Sequence, residues 1–420
     1  MHKQKNILII NYHFPPFPGV GGRRWAKFSK YLAKKDFLVY VIAAKNPYSK
    51  TSAWGNDIIY ENIKVTYLPN KYPKIFLKNI SSLNDKITYR FFLTLLKAST
   101  KGTIYDLALY WEKVLYNEMV KIIEANKIKN IIATGAPFRV LYYVSKLKKE
   151  YSDINIISDF RDPWIESEAY GMLELSKKRL DYEKMMEETV IAQSNKIITP
   201  CPEITKLLRD KYPNNKNKIL SILHAFDEDY SHINTTTKVK NDNKMRFIYG
   251  GTLDYIGLER YIFELIKALK EIKINYSEKY NRLSFTFYTN TKKFTKLVAG
   301  NGLEKIIHFR ELIPHNEFVN EAMKSDFLIM LNNYPDVFRT KFYDYLPFKK
   351  MLVVIADTGR VSDYITENKI GYHVKPGTIY EDILNLVNEF DKGNTNFNNK
   401  FNINQFSYSN ITNKLIELFI

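Results

Sequence analysis

The sequence predicts an α/β chain of two doubly wound domains facing across a cleft. Three observations lead to that class. Short apolar runs bounded by polar or turn residues, the pattern of buried parallel strands, alternate with stretches of helical periodicity. A polar segment, residues 231–244 (SHINTTTKVKNDNK), separates two such series. Each series opens with a strand and then glycines at a helix start, where backbone N–H groups are left for an anion. The chain has 420 residues and is 45% hydrophobic, enough for two separate cores.

In the first series, residues 6–11 read as a strand. Pro15, Pro16 and Pro18 then hold an extended loop, because proline restricts the residue before it. Gly19, Gly21 and Gly22 permit close backbone approach; a tight structural turn is the alternative, most of all for Gly19. A helix follows with Trp25, Phe28 and Leu32 on one face, then a strand at 37–44. The glycines do not fit G-x-G-x-x-G. Lys45 also stands where a dinucleotide site wants an acid, so dinucleotide binding is set aside. Residues 64–101 are basic and aromatic, and 87–99 (ITYRFFLTLLKAS) read as an amphipathic helix. Such a helix either lies on an anionic bilayer or packs on the core with its lysines in solvent.

Residues 129–133 form the next strand, with Gly135-Ala-Pro-Phe-Arg139 as its loop. The strand at 154–158 ends in Asp159-Phe-Arg161-Asp162-Pro-Trp164, and acids at the carboxyl end of a strand point into the cleft of such sheets. Asp159 and Arg161 are open to a structural ion-pair reading. A charged helix, 174–193, leads to a strand at 196–199. After residues 219–226 comes Asp227-Glu-Asp229, a short and common spacing that is weak as a metal signal. His224 is either a cleft residue or a packed turn histidine.

The second series starts with a strand at 247–249, then Gly250-Gly251-Thr252 and a helix over 258–272. Strands follow at 283–289 and 306–309, then Arg310-Glu-Leu312-Ile-Pro314 and a helix at 316–323. Residues 327–331 and 351–356 are apolar strands flanking a polar loop, 332–339, and a short helix, 340–346, which Pro347 stops. Thr340 can cap that helix and leave N–H groups for a phosphate, beside the charge of Lys341. Asp344, three residues on, projects from the same face. A diphosphate there would have Asp344 within reach of one sugar and Asp336, on the loop, near another. A helix at 361–367 and a strand at 371–374 complete the series, and the Asn-rich stretch 393–404 is a surface loop.

The run Thr340-Lys341-x-x-Asp344-Tyr345-Leu346, with Asp336 eight residues before Asp344, resembles the motif of the retaining family-four glycosyltransferases of the GT-B fold. Both acids here are Asp where that family usually has Glu. The Phe-Pro-Pro…Gly-Val-Gly-Gly-x-Arg opening and the Asp159-x-Arg161-Asp162-x-Trp164 run resemble the same family. The resemblance covers both halves and is strongest at 7–42, 155–164 and 326–375. It implies Rossmann-like domains at 1–230 and 245–401, joined by 231–244, with 402–420 crossing back to the first. It implies transfer of a sugar from a nucleotide sugar, UDP-linked, to a lipid-linked or polysaccharide acceptor in surface-glycan synthesis, without a metal or other cofactor.

In that scheme Lys341 and Asp336 serve catalysis, with Asp162 facing the acceptor. Arg23 or Arg24 holds an acceptor phosphate. Gly21, Gly22, Gly250, Gly251, Thr252, Arg260, Leu312, Arg339, Thr340 and Asp344 contact the donor. The family's usual arginine and lysine at the glycine loop of the second half are replaced by Thr252 and Ile256. Lys341, Arg339 or Arg260 would have to supply that charge. A non-catalytic GT-B partner and a nucleotide-sugar 2-epimerase are the alternatives.

The chain carries 63 Lys and Arg against 45 Asp and Glu, a net charge of +18. This favours anionic partners, phosphorylated substrates or an anionic membrane surface, although a Lys- and Asn-rich composition would also give it. No nucleic-acid recognition motif accompanies the charge. The lone cysteine, Cys201, fits a reducing compartment, and the opening apolar run is strand-like, so a cytoplasmic location is expected.

Overall fold

A computed structural model describes residues 5–17, 21–49, 51–78, 80–100, 106–167, 170–230, 242–253 and 257–420. Gly19, Pro18, Ile256 and most of the 231–244 linker lie outside them. The chain divides into two compact units, Met1–His224 with Tyr408–Ile420, and Ala225–Ser407.

In chain order the first unit contains β1 (Asn6–Ile10), α1 (Arg23–Ala33), β2 (Leu38–Ala44), β3 (Ile63–Leu68), α2 (Leu83–Ser99) and α3 (Glu112–Asn126). It continues with β4 (Asn130–Gly135), α4 (Arg139–Ser145), β5 (Asn155–Phe160), α5 (Lys177–Gln193), β6 (Lys196–Thr199), α6 (Pro202–Lys211) and β7 (Ile219–Ser221). The second unit contains β8 (Met245–Gly250), α7 (Glu259–Asn275), α8 (Ser277–Arg282), β9 (Leu283–Tyr288), α9 (Thr295–Gly300), β10 (Ile307–Arg310) and α10 (His315–Met323). Then come β11 (Phe327–Asn332), α11 (Thr340–Tyr345), β12 (Met351–Ala356), α12 (Arg360–Glu367), β13 (Gly371–Val374) and α13 (Ile379–Asp391). The last helix, α14 (Tyr408–Ile416), belongs with the first unit.

Both sheets are parallel. Their orders are β3-β2-β1-β4-β5-β6-β7 and β10-β9-β8-β11-β12-β13. The chain reverses its winding between β1 and β4 in one sheet and between β8 and β11 in the other. At such switch points the loops leaving the strands' carboxyl ends diverge and open a crevice. The central strands are buried along their whole length, so each must be apolar on both sides, which explains runs such as Met351–Ala356.

Register in the second sheet is reinforced by aromatics. Phe247 pairs with Phe285 and Phe327, and the rings stack at 4.4 and 4.7 Å. Strand β3, at the edge of the first sheet, occupies part of the basic 64–101 stretch, where lysines and tyrosines obscure its period of two.

Helix α14 stacks Tyr408 on Tyr31 and sets it edge-on to Phe28 of α1. The chain end beyond it is tied to the amino ends of β4 and β5: Asn130 exchanges hydrogen bonds with Ile420, and the Asn155 amide donates to the Leu418 carbonyl.

Candidate functional site

The switch point of the second unit is assembled by α11 reaching back to β8. Lys341 and Tyr345 are four residues apart, so they share one helix face. The Lys341 Nζ donates to the Gly250 carbonyl, and the Gly250 N–H donates to the Tyr345 hydroxyl at 3.3 Å. Both backbone groups of one glycine are thus held by one helical turn. The ammonium lies 4.4 Å from the Tyr249 ring centroid and 5.8 Å from that of Tyr345, a partly desolvated cation on two aromatic faces. The Tyr249 hydroxyl donates to the Thr252 carbonyl at 2.9 Å. Burial pushes the pKa of Tyr249 up, and that of Tyr345 likewise, so both stay neutral hydrogen-bonding groups.

Side chains are excluded from the two glycines by different neighbours. A Cβ on Gly250 would fall 2.4 Å from the Phe318 ring. Gly251 has φ +145°, and a Cβ there would fall 2.5 Å from the Lys341 Nζ.

The loop from β11 to α11 folds on itself. The buried Asn332 accepts from the Tyr334 N–H and donates to the Val337 carbonyl, while Phe338 packs on Phe342 and Tyr364. Arg339, not Thr340, occupies the N-cap position of α11, and no side chain caps the helix. Thr340 is the first helical residue, because the first turn closes on the Arg339 carbonyl, which accepts from the Phe342 N–H. The Arg339 guanidinium donates to Asn333 Oδ1 at 3.0 Å. Asp344, half-buried, sits one turn beyond Lys341.

Asp336 is turned toward α12. Its Oδ1 accepts the N–H of Arg360, the first residue of that helix, at 2.9 Å. The Pro335 carbonyl accepts the next N–H, from Val361. Gly359 is needed for this approach, since a Cβ there would lie 2.8 Å from Asp336 Oδ1.

Of the three cations expected to replace the missing arginine and lysine, Lys341 has its charge on the glycine turn. Arg260 is directed instead to Asp357, at the end of β12, and to the Tyr261 hydroxyl. Leu312 is half-exposed in the loop after β10. Its neighbours Glu311 and Ile313, with Tyr288, Arg310 and the α10 residues Glu317 and Glu321, line a cavity of about 470 Å³ that Leu312 does not line.

In the first unit the residues after β1, β4 and β5 meet. The Arg161 guanidinium donates to the Gly21 carbonyl at 2.7 Å and to the Ala136 carbonyl at 3.4 Å. Asp162 accepts from the Tyr170 hydroxyl at 3.0 Å and from Arg161 at 3.5 Å. Gly22 must be glycine because a Cβ would fall 2.2 Å from the His13 carbonyl oxygen.

Of the two residues open to an ion-pair reading, Asp159 is structural, but its cationic partner is Arg24 and not Arg161. Asp159 is fully buried and accepts from Trp25 Nε1 (2.7 Å), Thr134 Oγ1 (3.0 Å) and Arg24 Nε (3.3 Å). Arg24 is buried too and donates to the carbonyls of Ile222 and Leu223, so it is a structural residue rather than a holder of an acceptor phosphate. Arg23 stacks over Trp54 at 5.0 Å.

Two histidines join this region. Burial, then the positive charge of Arg161, lowers the pKa of His13 to about 4. Burial, then Arg24, Arg23 and Arg161, holds His224 well below the usual range. Sequence reasoning does not single out His13; its place three residues past the end of β1, at a switch point, is the signal that could have. The Asp227-x-Asp229 pair forms a turn in which buried Asp227 accepts the Asp229 N–H at 3.2 Å.

No protein-family model matches the chain, and no curated protein sequence does. Solved structures do. A glycosyltransferase from Rickettsia africae aligns with a TM-score of 0.61 at 14% identity, covering 100% of this chain and 98% of its own. Anabaena HepE in complex with UDP aligns with 0.64 at 12% identity, covering 98% of each chain. The UDP-GlcNAc 2-epimerase of Neisseria meningitidis, bound to UDP-GlcNAc, aligns with 0.55 at 13% identity, covering 98% and 99%. Likeness at these identities shows the fold: two doubly wound parallel sheets of the GT-B class.

Proposed function

We propose that this chain is a retaining glycosyltransferase that takes a UDP-linked sugar and passes it to a lipid-linked or polysaccharide acceptor in cell-surface glycan synthesis. The observation that carries the reading is the Lys341 ammonium seated on the Gly250–Gly251 turn at the switch point of the second sheet. A nucleoside diphosphate suits that place. Its oxygens would replace the Gly250 carbonyl as partner of Lys341, and glycine lets them approach the backbone closely. One neighbour of this fold, Anabaena HepE, is described in complexes with UDP, with UDP and glucose, and with UDP-glucose.

In this reading Lys341 stabilises the charge that develops on the departing diphosphate, which is electrostatic catalysis by a group already in position. Arg339 adds charge at the start of α11. Asp344 takes the ribose hydroxyls, and Asp336 offers its second carboxylate oxygen to the donor sugar while the first holds α12. Gly250, Gly251 and Thr252 line the diphosphate, Arg260 flanks it, and the Leu312 segment meets the base. Gly21, Gly22 and Asp162 serve the first unit's share of the reaction, with the Asp162 carboxylate, to which the Tyr170 hydroxyl donates, accepting from an acceptor hydroxyl. No divalent ion is required in this scheme.

The test is release of UDP from UDP-sugars, with and without a lipid-linked acceptor, in the wild type and in Lys341→Ala and Asp344→Ala. Release that both substitutions abolish supports the reading, and unchanged rates refute it. Thr252, standing where the resembling family has an arginine, motivates a second reading, a non-catalytic GT-B partner. That reading predicts UDP binding without turnover.

A further inference from the structure

Helix α2 is apolar on two nearly opposite faces. Its inner face buries Leu96 against Tyr72, with Phe76 and Leu93 beside them. Its outer face carries Leu83, Ile87, Phe91 and Leu95, which are 73, 59, 60 and 48% exposed. At about 100° per residue these four form a strip about 120° wide, centred roughly 160° from Leu96. A soluble surface scatters such residues singly; a continuous strip marks a contact face.

The helix is fixed so that this strip stays outward. Ser82 and Asp85 form a capping box at its start, with Lys78 on the Asp85 carboxylate at 2.9 Å. At its end Arg179, from α5, donates to the carbonyls of Thr100 (2.8 Å) and Leu96 (3.3 Å).

Charge identifies the occupant. Lys86, Arg90 and Lys97 are all exposed and lie within about 40° of one another along one flank of the strip. The helix's one acid, Asp85, is turned inward and paired. Apolar side chains bordered by cations, with no acid among them, match an anionic lipid surface, where the chains enter the acyl boundary and the cations meet phosphates. A second copy of this chain would bring the same uncompensated cations to the contact.

We infer that the outer strip of α2 docks the protein on an anionic bilayer. The inference does not depend on the sugar-transfer reading, and its test needs no activity. The full chain would be floated with vesicles of phosphatidylcholine alone and of phosphatidylcholine mixed with phosphatidylglycerol. Binding to the mixed vesicles should exceed binding to the neutral ones by at least about tenfold. Ile87→Gln with Phe91→Gln, and separately Lys86→Glu with Arg90→Glu, should each lower it by about tenfold or more, with melting temperatures unchanged because these side chains lie outside the core. A fluorophore on Phe91→Cys should shift to the blue on the mixed vesicles; Cys201 is buried and escapes labelling. Equal binding to both vesicle types, or full binding by either double variant, would overturn the inference. So would self-association of the wild type that the glutamine variant disperses while vesicles remain unbound.

Discussion

Lys341 holds the fold at the glycine turn, since its bond to the Gly250 carbonyl ties α11 to β8. In the proposed reading the same ammonium is the charge offered to a diphosphate. Lys341→Ala should therefore lower turnover by about a hundredfold or more, read from steady-state UDP release. Asp336 needs two substitutions to separate its roles. Asp336→Ala removes the acceptor at the start of α12 and should destabilise by about 1 kcal/mol in urea titration, whereas Asp336→Asn keeps a competent cap. Loss of activity in the asparagine variant at unchanged stability would isolate the sugar contact. His13 sets a pH dependence. Its folded pKa, about 4, lies below the 6.5 of an unfolded histidine, so the unfolded chain binds more protons between those values. The stability His13 confers is complete above pH 6.5 and is lost as pH falls to about 4. Asp106, raised to about 6 by burial despite Arg139, contributes the opposite slope. The difference between wild type and His13→Gln isolates the histidine: the melting temperature of the variant should fall less across that window.

At the level of elements, α5 holds the segment that carries Asp162. Glu183 and Glu187, one turn apart and fully buried, accept from Trp164 Nε1 (2.8 Å) and the Ile165 N–H (3.2 Å), just past Asp162. Lys211, from α6, pairs with Glu187 at 2.6 Å. Lys211→Met would leave that carboxylate buried with only neutral donors, and a destabilisation of about 3 kcal/mol in urea titration is expected. Burial already raises the pKa of Glu187, so part of the loss should be recovered as pH falls and the carboxyl takes up a proton. Nothing in the sequence announced these partners. A helix reading of 174–193 follows from its charged composition, but which of its glutamates face inward depends on Trp164 and α6, distant in the chain. The strands were legible because burial on both faces demands unbroken apolar runs, which only six or so residues can display. Strand β3 is not legible because an edge strand is half solvated, and Lys64 with the basic residues that follow it reads as surface. Residue preference alone makes Thr340 a cap, whereas the turn at Arg339 is set by how Asn332 and Phe338 anchor the loop.

For the whole molecule, the winding of both sheets reverses beside their first strands, β1 and β8, and that puts a glycine turn at each switch point. That part was legible, since strand, glycines and helix follow one another in sequence. The grip of α11 on Gly250 was not, because it joins residues 91 and 95 positions apart. The place of Lys341 on a short helix after a buried strand is readable in the sequence, but the Tyr345 hydroxyl that completes the grip is not. Binding of a nucleoside diphosphate at this turn should raise the melting temperature of the full chain, since ligand bound to the folded state shifts the equilibrium by mass action. Calorimetric titration of the full chain with UDP, run in parallel on Lys341→Ala, addresses the central claim most directly. Saturable binding by the wild type, weakened at least about tenfold in the variant, is the predicted result. Equal affinity in the two proteins, or no binding by the wild type, would contradict it.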